Sequence, residues 1–178
     1  MSVRSLIFFG NPILRQKAKP VQKIDDNIKR IIDDLIVTLK SYSNGVGLAA
    51  NQIGELYRVV VIRELIEEDE KVSLAEPEVF INPELSEPSI EKETMSEGCL
   101  SIPGIYEDVS RPVSITVTAL DVNGNQFTKK LQGYTAREIM HEKDHLDGVL
   151  FVDRISLDDK KRIKPLLHKI KKKYNPSK

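Results

Sequence analysis

The sequence contains one cysteine, Cys99, among its 178 residues. One thiol cannot form an internal disulfide framework, and such scarcity is typical of proteins in a reducing compartment. No apolar run reaches the roughly 20 residues that a membrane-spanning helix needs, so we expect no membrane association. Lys plus Arg and Asp plus Glu number 27 each. The chain therefore has no net positive charge that would attract nucleic acid, and we expect no specific DNA partner.

The composition, with 40% hydrophobic and 30% charged residues, is that of an ordinary globular protein. At this length we expect residues 1–178 to form a single domain, with 157–178 as a basic C-terminal helix or tail. From Lys160 to Lys178 there are nine Lys or Arg residues and no acid. The tail is interpreted either as a solvated terminal helix or as a contact for an anionic partner such as ribosomal RNA.

Hydrophobic periodicity predicts an α+β fold, with antiparallel or mixed β-sheets wrapped around a central helix, plus an early helix and a C-terminal helix. The acidic stretch 64–78 has little period, and we expect a mobile surface loop there. The predicted helices run from Asp25 or Asp26 to 43–45, over 135–147, and from a cap at Ser156 onward, where Pro165 should kink or restart the last one. The predicted strands are 57–62, 79–81, 113–119 and 126–128. A tight turn at 123–124 connects the last two strands.

The helix predicted at 135–147 carries the sequence His141-Glu142-Lys143-Asp144-His145. Two histidines four residues apart lie on one side of a helix, where both can bind one metal ion. The Glu142 carboxylate is then close to a water that the metal activates and can take its proton. Apolar residues occupy more than one side of this helix, which indicates that other structure wraps it and that the histidines face a cleft. The alternative is a solvated, charged helix face.

The motif leaves the third metal ligand open. A third histidine at the spacing H-E-x-x-H-x-x-G-x-x-H is excluded because Phe151 occupies its position, and no glutamate follows Glu142. Cys99 is the favoured candidate, since a thiolate with two histidines would leave a fourth position for water, although a lone cysteine is usually a small buried apolar residue. The other candidates are Asp147, Asp153 and His168.

Residues 45–54, GVGLAANQIG, are rich in small side chains. The pattern superficially matches a dinucleotide-binding loop, but a helix precedes it where that loop requires a strand. Small residues would allow the backbone to approach a substrate or the metal-binding helix closely. Gln52 is the side chain here that could donate a neutral hydrogen bond to an oxyanion. The alternative is a loop that only packs tightly.

Three motifs together resemble the peptide deformylase family. They are GVGLAANQIG at 45–54, EGCLS at 97–101 and HEKDH at 141–145, and shorter similarities extend the resemblance over about residues 8–153. The resemblance implies a single catalytic domain that hydrolyses the N-formyl group from the N-terminal formylmethionine of nascent polypeptides and releases formate. The alternative function is another H-E-x-x-H metallohydrolase, such as a peptidase, with a different third ligand.

The resemblance also implies a metal site and its cofactor. Cys99, His141 and His145 would hold one metal ion per chain, typically Fe2+, with Zn2+, Ni2+ or Co2+ able to substitute. The ligands alone do not discriminate between iron and zinc.

The remaining site residues are likewise implied by matching position. Glu142 would act as general base and then as general acid, while the Gln52 amide and the backbone N–H of Leu100 would stabilise the oxyanion. The backbone of Val46 and Gly47 would bind the substrate chain as an added strand. The residues expected to bind the substrate are Val46, Gly47, Met95, Glu97, Tyr134 and Glu138, with Leu100 also lining the methionine pocket.

The implied substrate is a formyl-Met nascent peptide, and the ribosome is a further expected partner through the basic tail. A bacterial cytoplasm is the expected location, because the N-terminus shows neither a signal-peptide core nor a transit-peptide composition. A ribosome-binding module without catalysis is the second alternative, and the intact Glu142 argues against it.

The sequence departs from the family pattern in places. Lys143 stands at a usually apolar position and must reach solvent or find an acid. Met140 stands where the family commonly has Gln. The stretch 64–78 is longer than in compact members and is expected to act as a lid over the cleft. Arg111 is expected to pair with Glu97 or Asp144.

Overall fold

A computed structural model describes residues 2–68 and 71–175. Within these ranges the chain forms three α-helices and nine β-strands, and the strand pairs are antiparallel, as expected for this α+β fold. The helices are α1 (Asp26–Lys40), α2 (Gly133–Leu146) and α3 (Leu157–Tyr174). The strands are β1 (Gly47–Ala49), β2 (Val59–Ile62), β3 (Leu65–Glu68), β4 (Lys71–Leu74), β5 (Glu78–Ser86), β6 (Lys92–Cys99), β7 (Ile102–Pro112), β8 (Ser114–Leu120) and β9 (Gln126–Gln132).

A five-stranded sheet in the order β1-β2-β5-β8-β9 forms the centre of the fold. Successive side chains of a strand point to opposite faces, so β2 supplies both cores: Val59 and Val61 face one side, Val60 and Ile62 the other. The hairpin predicted around 123–124 is confirmed by the pairing of β8 with β9. Its turn is a three-residue loop, closed by the Asp121 N–H donating to the Asn125 carbonyl at 2.9 Å.

Helix α1 covers one face of this sheet. The Asp25 side chain accepts a hydrogen bond from the Ile28 N–H at 3.0 Å, which confirms the predicted N-cap. The helix ends at Lys40, three residues before the predicted stop at 43–45. Its buried apolar side chains are Ile28, Ile31, Ile32, Leu35 and Leu39.

Helix α2 lies against the opposite face and carries the histidine motif. Ala136, Ile139 and Met140 pack with the sheet residues of that face. The helix ends at Leu146, and Gly148 follows in the left-handed conformation with φ 74°, as the sequence predicts. The central helix is therefore where the fold prediction placed it.

The other side of α2 is covered by a long hairpin of β6 and β7 that sequence patterning did not predict. Residues 104–111 alternate between exposed and buried positions, as a strand requires. Two of the buried positions carry charged side chains, Glu107 and Arg111. Because these buried positions are not apolar, the segment lacks the regular alternation of apolar and polar residues by which a strand is predicted.

The stretch 64–78 was predicted to be a mobile surface loop. The loop is wrong, because β3 and β4 form a two-stranded antiparallel hairpin there, whereas the mobility stays a prediction. At the base of this hairpin, the Arg63 side chain donates a hydrogen bond to the Ala75 carbonyl at 3.0 Å. Glu76, which follows β4, forms an ion pair with Lys40 at the end of α1. The movement of this segment as a lid stays a prediction.

Pro165 was predicted to kink or restart the C-terminal helix. Helix α3 runs as one element through Pro165, so the restart is wrong, and the kink stays a prediction. Its N-cap is Ser156, whose hydroxyl accepts from the Asp159 N–H at 3.1 Å, as predicted. Ile163, Leu167 and Ile170 are buried in a third apolar cluster with residues of β7 and the N-terminal segment. None of the helices within the described ranges is long and apolar enough to cross a membrane.

Two glycines give a matched test of how the end of α2 packs. Gly148 has φ 74° and Gly104 has φ 75°, so alanine at either position pays the same backbone penalty of roughly 1–2 kcal/mol. A Cβ at Gly148 would lie 2.5 Å from the carbonyl oxygen of Arg15, whereas nothing lies within 4 Å of one at Gly104. We expect Gly148→Ala to lower the free energy of unfolding by about 1–3 kcal/mol more than Gly104→Ala, measured by urea denaturation. Equal losses would contradict this packing.

Candidate metal centre

Three side chains converge between β6 and α2. Cys99 ends β6, while His141 and His145 lie one turn apart on α2. Their ligand atoms all lie within 4.8 Å of one another, and Cys99 Sγ is 3.2 Å from His145 Nε2. A thiolate with two imidazoles is a donor set that suits Fe2+, Zn2+ and similar ions. These residues are therefore positioned to bind a metal ion.

The other candidates for the third ligand have different partners. Asp147 accepts hydrogen bonds from Lys143 at 2.6 Å and from Arg58 at 2.9 Å. Asp153 pairs with Arg15 and accepts from the Leu150 N–H. His168 lies exposed on α3. The described structure thus brings Cys99, and none of these three, to the histidine pair.

The Glu97 carboxylate fixes the orientation of His141. Its Oε2 lies 3.1 Å from His141 Nδ1, which leaves the other ring nitrogen, Nε2, for a metal ion. The same carboxylate accepts from Arg111 Nε at 2.6 Å and Nη2 at 2.9 Å, and from Arg137 Nη1 at 2.7 Å. Burial raises the pKa of Glu97, but the hydrogen bonds from Arg111 and His141 outweigh it and lower this pKa to about 2.

This network changes the interpretation of Glu97 that the sequence suggested. Glu97 lies in the cavity wall, but both carboxylate oxygens are already hydrogen-bonded to protein groups. A substrate contact of this residue stays a prediction and would have to use its backbone. Arg111 also donates to Asp144 at 2.9 Å, so it pairs with both of the acids proposed for it.

Glu142 is buried, and its Oε2 atom has no hydrogen-bond partner among the described residues. Burial raises the pKa of this carboxyl from 4.5 to about 8. Gly47 of β1 packs directly against it, because a Cβ at Gly47 would lie 2.5 Å from Glu142 Oε1. The small residue therefore allows the backbone to approach the metal-binding helix, which was one of the two interpretations of residues 45–54.

Gln52 has a fixed amide orientation. Its Oε1 accepts from the Ala49 N–H at 2.8 Å, which leaves the amide nitrogen directed toward the site. This Nε2 donates to Ser101 Oγ at 3.2 Å and to Cys99 Sγ at 3.6 Å. A neutral donor is thus held beside the candidate metal ligands, as the sequence suggested.

A cavity of 640 Å³ opens in front of these groups. Met95 was expected in the methionine pocket, but it is not among the described residues that line the cavity. Sequence reasoning missed several aromatic residues of the wall, because they come from distant parts of the chain. The predicted residues that line it are Val46, Gly47, Gln52, Glu97, Cys99, Leu100, Tyr134, Glu138, His141 and Glu142. The aromatic residues that were missed are Phe8, Tyr42, Tyr106 and Tyr174.

Lys143, in the middle of the motif, finds the acid that its position requires. Its Nζ donates to Asp147 Oδ2 at 2.6 Å, one turn along the helix. Arg58, which directly precedes β2, also donates a hydrogen bond to this carboxylate. Burial raises the pKa of Asp147, but the hydrogen bonds from Lys143 and Arg58 outweigh burial. The net effect is a lowered pKa, so the acid stays charged opposite both cations.

The sequence of this chain is similar to a known protein family and to individual members of it. The family model described as polypeptide deformylase matches residues 3–161. The chain is 44% identical over 156 residues to a peptide deformylase of Mesorhizobium japonicum, with 88% of this chain and 86% of that protein covered. It is 46% identical over 153 residues to peptide deformylase 1 of Clostridium perfringens, covering 86% and 98% respectively.

Solved structures show the same similarity in three dimensions. The crystal structure of peptide deformylase from Ehrlichia chaffeensis superposes with a TM-score of 0.86 at 34% identity, covering 97% of this chain and 98% of that one. The structure of the same enzyme in complex with actinonin gives a TM-score of 0.86 at 36% identity, covering 98% and 99%.

The Glu97 network gives a prediction about metal affinity. Glu97→Gln removes the charge that orients His141, and such a change typically costs 10–100-fold in metal affinity. We expect a loss of about this size, measured by competition with a chelator at a temperature where circular dichroism shows both proteins folded. Glu93→Gln, an exposed position on the same strand, is the control and should bind metal like the unmodified chain. Equal affinities for the two variants would contradict the role of Glu97.

Proposed function

Because the chain belongs to the polypeptide deformylase family, we propose that Glu142, Gln52 and the Leu100 backbone carry out the family's reaction at the Cys99–His141–His145 centre. The chain removes the N-formyl group from nascent polypeptides by hydrolysis and releases formate. One observation carries the assignment to this site. The buried Glu142 carboxyl, one oxygen of which has no hydrogen-bond partner in the part of the chain that the structure describes, adjoins three ligand atoms that lie within 4.8 Å of one another.

The donor set defines the cofactor by class. We propose Fe2+ as the ion, one per chain, with Zn2+, Ni2+ or Co2+ able to substitute, since a soft thiolate and two imidazoles accept all of them. When bound by Cys99, His141 and His145, such an ion polarises the formyl carbonyl and makes a water acidic.

Glu142 moves the proton in this proposal. Its Oε2 accepts the proton of the attacking water and then delivers it to the departing amine. Burial without a hydrogen-bond donor keeps the carboxylate basic, which favours proton uptake. The contact with Gly47 limits where the side chain can go, so the oxygen stays beside the metal ligands.

The developing negative charge on the formyl oxygen requires donors that are already in place. The Gln52 amide meets this requirement, because its carbonyl end is held by the Ala49 N–H at 2.8 Å. The Leu100 N–H, adjacent to Cys99, is proposed as the second donor. Both groups lie in the cavity wall on segments that also carry or contact the thiol.

Substrate binding is proposed to use the free edge of the five-stranded sheet. Strand β1 is terminal in this sheet, and Val46 and Gly47 at its start line the cavity. An extended peptide could add to this edge through backbone hydrogen bonds. We propose that Val46, Leu100, Tyr134 and Glu138 surround the methionine side chain.

The cellular setting is proposed from the reaction. Formylated chains leave the ribosome in the cytoplasm of bacteria, and we propose that the single catalytic domain of residues 1–178 acts there. The exposed lysines of α3 are proposed to contact ribosomal RNA, since the buried residues of this helix face the protein and leave the basic side free.

The assignment is tested by formate release from formyl-Met-Ala-Ser in an anaerobic preparation, with metal analysis of the same samples. Glu142→Gln should keep its metal and lose about 10²–10⁴-fold in kcat/KM, because it lacks the proton acceptor. Cys99→Ser should lose both metal and activity. His168→Gln, at an exposed position on α3, is the control and should lose neither. Retained metal and activity in Cys99→Ser would favour another metallohydrolase.

The ribosome contact is tested by charge reversal, because deleting α3 would also remove its buried side chains. We expect Lys164→Glu, Lys169→Glu and Lys172→Glu together to weaken sedimentation with bacterial ribosomes and to flatten its salt dependence. Turnover of a free formyl peptide should stay the same. A control triple reversal at the exposed Lys23, Lys92 and Lys130 should leave ribosome binding intact. An unchanged salt dependence for the α3 variant would remove this proposal.

A further inference from the structure

Two aromatic residues from near the two ends of the chain meet in the wall of the catalytic cavity. Phe8 and Tyr174 both line it, and their rings stack with centroids 3.9 Å apart and an interplanar angle of 20°. Both side chains are half-buried, so part of each remains accessible from the cavity. This stack has no role in the proposed chemistry.

Phe8 is held firmly next to the reacting groups. The N–H of Ile7 donates to the Gln52 carbonyl at 2.7 Å, and the N–H of Phe9 donates to the Ser101 carbonyl at 2.9 Å. The backbone on both sides of Phe8 is therefore bonded to the two segments that carry the proposed oxyanion donors. Phe8, Gln52 and Leu100 all line this cavity.

Tyr174 is also fixed, although it lies in the last turn of α3. The Asn175 side chain donates to the Phe9 carbonyl at 3.0 Å. Lys171 lies against Gly10 so closely that a Cβ at Gly10 would come within 2.5 Å of Lys171 Cγ. The end of the helix is thus docked on the N-terminal segment, and the Tyr174 ring forms a defined part of the wall.

We propose that Phe8 and Tyr174 form an aromatic subsite that binds an apolar or aromatic side chain of the formylated peptide beyond its methionine. This inference rests on the proposed function, because the stack belongs to the cavity that holds the formyl group. Stacked rings present a flat apolar surface, on which an apolar or aromatic side chain packs favourably. Helix α3 would then select substrates directly, in addition to any contact with the ribosome.

The test compares formyl-Met-Ala-Ser with formyl-Met-Phe-Ser and formyl-Met-Ala-Phe, using separate kcat and KM values. The unmodified enzyme should prefer at least one phenylalanine peptide through a lower KM. Tyr174→Ala should reduce this preference, expressed as a ratio of kcat/KM values, about 3–10-fold. Tyr174→Phe should restore it, because the ring and not the hydroxyl makes the contact.

Leu166→Ala provides the matched control, since Leu166 is an exposed apolar residue of α3 outside the cavity wall. It should leave the preference unchanged. A preference for phenylalanine that survives Tyr174→Ala, or equal losses on all three peptides, would overturn the subsite. So would an unmodified enzyme without any preference for phenylalanine. Failure of the proposed function is distinguishable, because the unmodified enzyme would then release no formate from any of these peptides.

Discussion

The hydrogen-bonded charge cluster around Glu97 is the interaction on which the rest of the site depends. A buried carboxylate without partners would cost several kcal/mol, and here Arg111, Arg137 and His141 all contact it. Glu97 lies on β6, whereas Arg137 and His141 lie on α2. Satisfying this one carboxylate therefore holds the β6–β7 hairpin against the helix. Cys99, two residues further along β6, is brought to the histidines as a consequence.

The same helix meets the five-stranded sheet on its other side, where Gly47 touches Glu142. Any larger side chain at Gly47 would displace the proposed base from the metal ligands. Three consecutive residues of the helix thus point to different neighbours. His141 contacts Glu97 of the hairpin, Glu142 packs against β1, and Lys143 forms an ion pair with Asp147. His141, Lys143, Asp144 and His145 each have a separate polar partner, whereas Glu142 packs against Gly47.

Local patterns in the sequence were sufficient for α1, α2 and the hairpin of β8 and β9, because each has regular periodicity and an end signal. They were insufficient for β6 and β7, where Glu107 and Arg111 occupy inward positions that usually carry apolar residues. The three residues that are positioned to bind a metal were predictable because three motifs occur in the family's order. The cavity wall at Phe8 and Tyr174 was not, since a contact between the ends of a chain leaves no local pattern.

Burial of Glu142 is destabilising by itself, because its carboxyl has an oxygen without a partner and a pKa raised to about 8. A fold can keep such a group only if the surrounding contacts over-determine its position. Those contacts are the apolar packing of α2 on the sheet and the Glu97 cluster on its other side. The cluster tolerates its own buried charges because they are paired, whereas Glu142 Oε2 has no such partner within the described part of the chain. The paired cluster thus lies next to the proposed base, Glu142, whose Oε2 has no hydrogen-bond partner among the described residues.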